Sequence, residues 1–427
     1  MTSVRSRRRS FLQYVADNNP FYLLSAASML LACLLLSNTT TWSPIAARKL
    51  VMLIVTLNVY ELLLVGLGLY LIARRNHLRD GVMLLILEAV FLADVGFLNS
   101  ELYTESLRTG LVVNAVLLVV GLMKLAAIFR TLGVPLVSPV FALTTATLVT
   151  LLGHAALFRW MSTAHAGRLP DGVMYAAWWA LAGLLAAYAL MTRWTPRHAF
   201  GGTRAGVRER GLGHVFMGLM LASLAAHFGT SHWIYSCPFQ APDVSPVLLG
   251  LAVLTASVGA SIWANHRDLK VLSALLPIAA VLTAQAPSPR LATAMQSVGI
   301  ATAQLTAVVA YLVLVYAFAL RRFFRFAGFG VAAAALYVFG PTWATVQQWA
   351  QTVGDLIARG GRWLAAALDR VTPRTQGAWG TIALAGAFVM LAIGAAINLL
   401  RPKHDDHPDA DLPPVPPAPM ADVPAEG

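Results

Sequence analysis

The sequence predicts an all-α, polytopic integral membrane helical bundle of about eleven or twelve transmembrane helices. Three observations predict it. Of the 427 residues, 58% are hydrophobic and only 12% charged, against about 25% charged in an ordinary soluble domain. The apolar residues fall in runs near the roughly 17–25 residues a helix needs to cross hydrocarbon. The arginines fall between those runs, in short loops.

The loop position of the arginines decides how the net charge of +12 is read. In a soluble chain it would point to nucleic acid. Here it points to anionic headgroups on one side of a lipid bilayer, and no nucleic-acid partner is implied. Cys33, inside the first run, and Cys237, after the seventh, form no disulfide framework and no cysteine-rich metal site. No cofactor or metal is expected. The richness in Ala, Gly and Arg fits a high-GC bacterium, and the expected location is a bacterial inner membrane.

Residues 1–20 form a basic N-terminal segment with Arg5, Arg7, Arg8 and Arg9. The first run is followed by Ser37-Asn38-Thr39-Thr40-Thr41-Trp42, without a small-x-small cleavage site, and reads as an uncleaved helix. The bundle 21–263 holds eight spans: 21–37, 50–72, 81–98, 111–129, 140–158, 173–191, 214–236 and 247–263. Further spans follow in 264–342. The run 271–284 is short and contains Pro277, so it reads as a broken or re-entrant helix. The run 296–320 is long, and 326–346 is interrupted by Gly340-Pro341. Residues 377–400 form the last span. With the N-terminus cytoplasmic and twelve spans counted, inner segments hold 20 Lys+Arg and outer segments 10, the bias expected of an inner-membrane topology. Trp42, Trp160, Trp194 and Trp263 stand at run boundaries, where aromatic belts form.

Two segments are not spans. Over 343–371 the apolar residues, including Trp343, Trp349 and Trp363, recur near the helical period, while Gln347, Gln351, Asp355, Arg359 and Arg362 take the other face. This is an amphipathic interfacial helix or a docking helix for a protein partner. Residues 401–427 are acidic and Pro-rich, as in a disordered tail, a second candidate for a partner. His404-Asp405-Asp406-His407 within it reads as solvated tail rather than as a metal site.

Polar residues inside the spans are the candidate site, because they are costly there and face the bundle interior. They are Asn58, Glu61, Glu88, Asp94, Asn114, Lys124, His154, His227 and His232, all in the first seven helices. At about 1.5 Å per residue, Glu88 and Lys124 lie at similar depth on consecutive helices and are expected to pair. That pair has a structural reading, fixing register, beside the functional one. Glu61 lies near mid-membrane. With His227, and with Asp94, Asn114, His154 and His232 nearer the outer ends, it is expected to line a polar cavity open to the outside. His154 and His227 are also conceivable axial ligands of a haem, with no supporting pattern. Three classes follow: a permease or ion-coupled transporter with a polar cavity among helices 2–7; a non-catalytic membrane subunit or scaffold; and a membrane enzyme on lipid-linked substrates, using Glu61, Glu88 or the acids Glu101 and Glu105. The substrate or ion is not legible. No HExxH, GxSxG or Walker A motif is present, so an enzyme is the weaker class.

Overall fold

The computed structural model describes residues 19–40, 46–75, 77–132, 138–194, 212–261, 267–320 and 373–400, with 136 and 359 as single positions. The basic segment up to residue 18, most of the loop 192–213, the runs read as a span over 326–346 and as an amphipathic helix over 343–371 (359 apart), and the residues read as a tail over 401–427 lie outside the described residues. Those that are described carry twelve α-helices, one π turn and no strand. In order the helices are α1 (Phe21–Thr40), α2 (Ala46–Tyr70), α3 (Leu78–Glu105), α4 (Leu107–Thr131), α5 (Pro139–Ala164) and α6 (Asp171–Trp194). They continue with α7 (Leu212–Ile234), α8 (Ala241–Ser261), α9 (Arg267–Thr283), α10 (Pro289–Ser297), α11 (Thr302–Ala319) and α12 (Pro373–Leu400). The π turn Leu71–Arg75 extends α2.

Six of these are long and apolar enough to cross a membrane: α2 with its extension, α4, α5, α6, α8 and α12. The pair α10 and α11 qualifies as one span bent by 74°. The remaining helices are set among them. α3 packs on α2, α4, α5 and α7, α9 on α8 and α11, and α1 on α12. The chain is a polytopic all-α membrane bundle. α4 illustrates how lipid replaces water as solvent. Val112, Val116, Val119 and Met123 are exposed on one face, while Gly121, Lys124, Leu125 and Ile128 are buried on the other. The lysine of this helix faces protein, and its valines face the apolar surroundings.

The expected break at Pro277 is not there. α9 runs through Pro277 without interruption. The discontinuity comes later, between α10 and α11, where Gly299 has φ +77 and the chain turns through 74°. Ser288 caps α10 by accepting from Leu291 N, with Pro289 as the first helical residue. The run read as 296–320 is therefore divided: its first two residues end α10, and α11 begins at Thr302.

The first and last helices lie antiparallel. Asn19 Nδ2 donates to Gly394 O at 2.9 Å, Asn398 Nδ2 to Tyr22 OH at 2.8 Å and Ser25 Oγ to Ala387 O at 2.6 Å. Farther along, Gly380 abuts Leu36 so closely that a Cβ there would come within 2.8 Å of it. Arg75 donates to Leu399 O. Asn19, Arg75 and Leu400 therefore mark one face of the bundle, the N-terminal face, and the described chain both begins and ends there.

Candidate functional site

The site begins with two helical hairpins. α3 and α4 are joined through Ser106, whose side chain accepts from Thr109 N at 3.3 Å and starts α4 while α3 ends one residue earlier. Glu88 stands eighteen positions before Ser106 and Lys124 eighteen after it, so an antiparallel hairpin sets them side by side. α2 and α3 cross where Gly68 meets Gly81. A Cβ on Gly81 would come within 2.8 Å of Gly68 O, so the two backbones touch. Glu61 stands seven positions before Gly68 and Glu88 seven after Gly81, which again places them side by side.

The outcome is a triad. Lys124 Nζ donates to Glu88 Oε1 at 2.6 Å and also to Glu61 Oε2. All three residues are buried. Two carboxylates share one ammonium in a site removed from water, where each charge needs its partner. Oε2 of Glu88 is buried and accepts no hydrogen bond among the described residues. An apolar-walled cavity of about 20 Å³ lies between α3, α4, α5 and α7, with Glu88 and Lys124 among its lining residues.

The structure thus brings Glu88 and Lys124 together and adds Glu61 to them, where the sequence reading set Glu61 in a separate, outward-facing cavity. The hairpin registers were the missed signal: both follow from the positions of Gly68, Gly81 and Ser106. Asn58 does not join. It is half-buried and donates to Ile54 O of its own helix at 3.0 Å. Asn114 accepts from Asn99 Nδ2 at 3.0 Å, tying α3 to α4 nearer Ser106. Asp94 lies in α3, and its side chain is outside the described residues.

His154 and His227 meet. Their rings pack edge to face, 5.5 Å apart between centroids, with Phe158 and Phe228 against His154. Each Nδ1 donates to a carbonyl of its own helix, His154 to Leu151 O at 2.8 Å and His227 to Ser223 O at 2.7 Å. That sets the Nδ1–H tautomer and leaves Nε2 as the acceptor atom. His154 Nε2 is buried and has no hydrogen-bond partner among the described residues. With the imidazoles in direct contact and phenylalanines around them, a porphyrin between the two rings would have to displace this packing.

His232 belongs to a different group, at the face opposite the N-terminal one. Trp178 Nε1 donates to its Nε2 at 3.0 Å, and its Nδ1 lies 3.2 Å from Cys237 O. Both ring nitrogens are engaged, so the ring bridges α6 and the loop after α7. Around it Asp171 accepts from Gln240 Nε2 at 3.1 Å and Ser288 Oγ at 3.2 Å, and Asp243 accepts from Gln240 N at 2.8 Å. Asp171 and Asp243 open α6 and α8, where a carboxylate complements the helix dipole. They were not candidates in the sequence, and nothing in their spacing joins them. In the loop, burial and then Asp171 push the Cys237 thiol up to about 12. The described residues contain no cluster of three or more His, Cys, Asp or Glu able to hold a metal ion.

No family model, no curated protein and no solved structure matches the chain.

Proposed function

We propose that the protein is a proton-coupled permease of a bacterial inner membrane, with its N-terminal face cytoplasmic and its coupling site at Glu61, Glu88 and Lys124. One observation carries this reading: two buried carboxylates, Glu61 and Glu88, converge on one buried ammonium, Lys124. A bundle that needed only register would use a matched pair. The extra carboxylate provides a place for one proton, and transporters place such groups in the middle of the bundle. The orientation rests on the distribution of loop arginines.

Solute uptake by cells expressing the chain, screened across a panel of small metabolites, tests it. Uptake of at least one solute should be driven by an inward proton gradient, collapse with a protonophore and be lost in Glu61→Gln and Glu88→Gln. If every gradient-driven uptake survives in a correctly inserted Glu61→Gln/Glu88→Gln/Lys124→Met variant, the triad is a structural register device and the reading fails.

A further inference from the structure

We propose that His232 and Asp243 form a proton-binding site at the face opposite the N-terminal one, in which protonation moves the His232 ring from Trp178 of α6 to Asp243 of α8. The site is separate from the Glu61, Glu88 and Lys124 triad, and its test is independent of solute uptake.

The hydrogen bonds fix the state of the ring. An indole N–H can only donate, and that of Trp178 donates to His232 Nε2 at 3.0 Å. Nε2 therefore carries a lone pair. The proton sits on Nδ1, which donates to Cys237 O at 3.2 Å. The ring is neutral imidazole. An imidazolium has two N–H donors, so a proton arriving at Nε2 sets one donor against another and the bond to Trp178 breaks. A new acceptor is already in place. Asp243 Oδ2 lies 3.9 Å from the same Nε2, about 1 Å farther than the roughly 2.7–2.9 Å of a charge-assisted N–H···O bond. Asp243 is suited to stay a carboxylate. It stands in the first turn of α8, where the helix dipole favours an anion, and it accepts from Gln240 N at 2.8 Å.

Both residues are buried, and the cover over them is one side chain thick. Phe239 is 57% exposed. Its ring meets that of His232 at 5.1 Å between centroids and that of Trp178 at 6.0 Å. Ser236 and Pro238 of the same loop are exposed. The titratable groups around the ring are Asp171 from α6, Asp243 from α8 and Cys237 from the loop, with Arg290 from α10 acting on Cys237. Tyr103 from α3 and Arg159 from α5 act on Tyr235, three residues farther along. Asp171 is held by Gln240 and Ser288, which leaves Asp243 as the carboxylate within reach of Nε2. Loading adds one proton at Nε2, gives up one hydrogen bond to α6 and forms one ion pair to α8. Release is the reverse.

Solid-state NMR of the full-length protein in lipid bilayers, isotopically labelled at the ring nitrogens of histidine and tryptophan and stepped in pH, reads both states. The His232 and Trp178 signals are assigned by their absence in His232→Gln and Trp178→Phe. At high pH His232 should show the Nδ1–H tautomer, and on acidification it should become imidazolium. Trp178→Phe keeps an aromatic ring and removes the donor that holds the neutral form, so the transition should move to higher pH by about one unit or more. Asp243→Asn removes the acceptor of the charged form and should move it to lower pH by about as much. Each unit is a tenfold change in proton affinity, about 1.4 kcal/mol. In the parent protein, which needs no variant to fold, the Trp178 indole signal should change with the same midpoint as the His232 ring. An Nε2–H tautomer at high pH, or a ring that stays neutral until the protein unfolds, overturns the site. An indole signal that does not follow the ring, or an unmoved midpoint in Asp243→Asn, overturns the exchange of partners.

Discussion

Lys124 donates to two buried carboxylates that repel each other, so its removal is not a simple loss of two hydrogen bonds. Lys124→Met should destabilise the bundle by about 3–5 kcal/mol, the cost of leaving buried charge uncompensated. Glu61→Gln/Glu88→Gln/Lys124→Met should recover most of that, because the neutral trio leaves no buried charge. Thermal unfolding of the three proteins in one lipid–detergent mixture checks the order. An equal loss in both variants would mean that the charges carry no strain to relieve. Outside the spans, Cys237 offers a pH test. Its thiol is buried against Asp171, with Sγ 3.6 Å from Oδ1, and is pushed up to about 12. A thiol raised in the folded state stays protonated near neutrality and reacts only as pH approaches that value, because the thiolate is the nucleophile. In a Cys33→Ser background, maleimide labelling of the folded protein should therefore be slow near neutrality and rise with pH. Asp171→Asn removes a neighbouring negative charge and should shift the labelling profile to lower pH. A profile like that of a free thiol in both proteins would contradict the burial of Cys237.

Hairpin register is the level at which the site forms. The apolar runs and their lengths were legible, because span length follows from bilayer thickness. Depth was legible too, and it set Glu88 beside Lys124. The sequence places Glu61 in other company, because position along a helix says nothing about rotation around it. The Gly68–Gly81 contact supplies the rotation: it admits no side chain between α2 and α3, so the faces two turns away must meet. Gly81→Val should then force α2 from α3, since even its Cβ would fall 2.5 Å from Ile72 Cγ1 and 2.8 Å from Gly68 O. Cross-linking of a cysteine pair replacing Glu61 and Glu88 should be efficient in the parent and fall at least about tenfold with Gly81→Val, the equivalent of a cost above 1.4 kcal/mol. Efficient cross-linking in both would place the register elsewhere. The break in the C-terminal half was misassigned for a related reason. Pro277 signals a missing backbone donor, and a helix in protein surroundings tolerates one. A left-handed residue after a capped short helix ends it outright. Gly299→Ala should cost roughly 1–2 kcal/mol, the penalty of a Cβ in that conformation, measured by chemical unfolding. No loss would mean that the bend relaxes without Gly299.

At the scale of the molecule, the first and last described helices are joined to each other. α1 packs more extensively on α12 than on α2, and the contact is specific along its length, from Gly394 against Tyr22 to Gly380 against Leu36. The Tyr60 hydroxyl lies 2.6 Å from Ser25 Oγ, which in turn donates to Ala387 O, so α2, the helix that carries Glu61, is anchored to this pair one residue from the triad. None of this was legible in the sequence, because no local pattern records which distant helix a small residue approaches. The antiparallel pairing of α12 with α1 predicts that the two termini lie on one side of the membrane. A topology reporter active only in the cytoplasm, fused after residue 400, should match one fused at the N-terminus, and a reporter active only outside should fail at both positions. The same cytoplasmic reporter inserted after Gln240, in the loop before α8, should be silent, because that loop lies with Asp171 and Ser288 at the other face. Opposite signals from the two termini would break the α1–α12 pairing, and with it the anchoring of Glu61. Matching signals that are both external would keep the fold and reverse the direction in which the proton site faces.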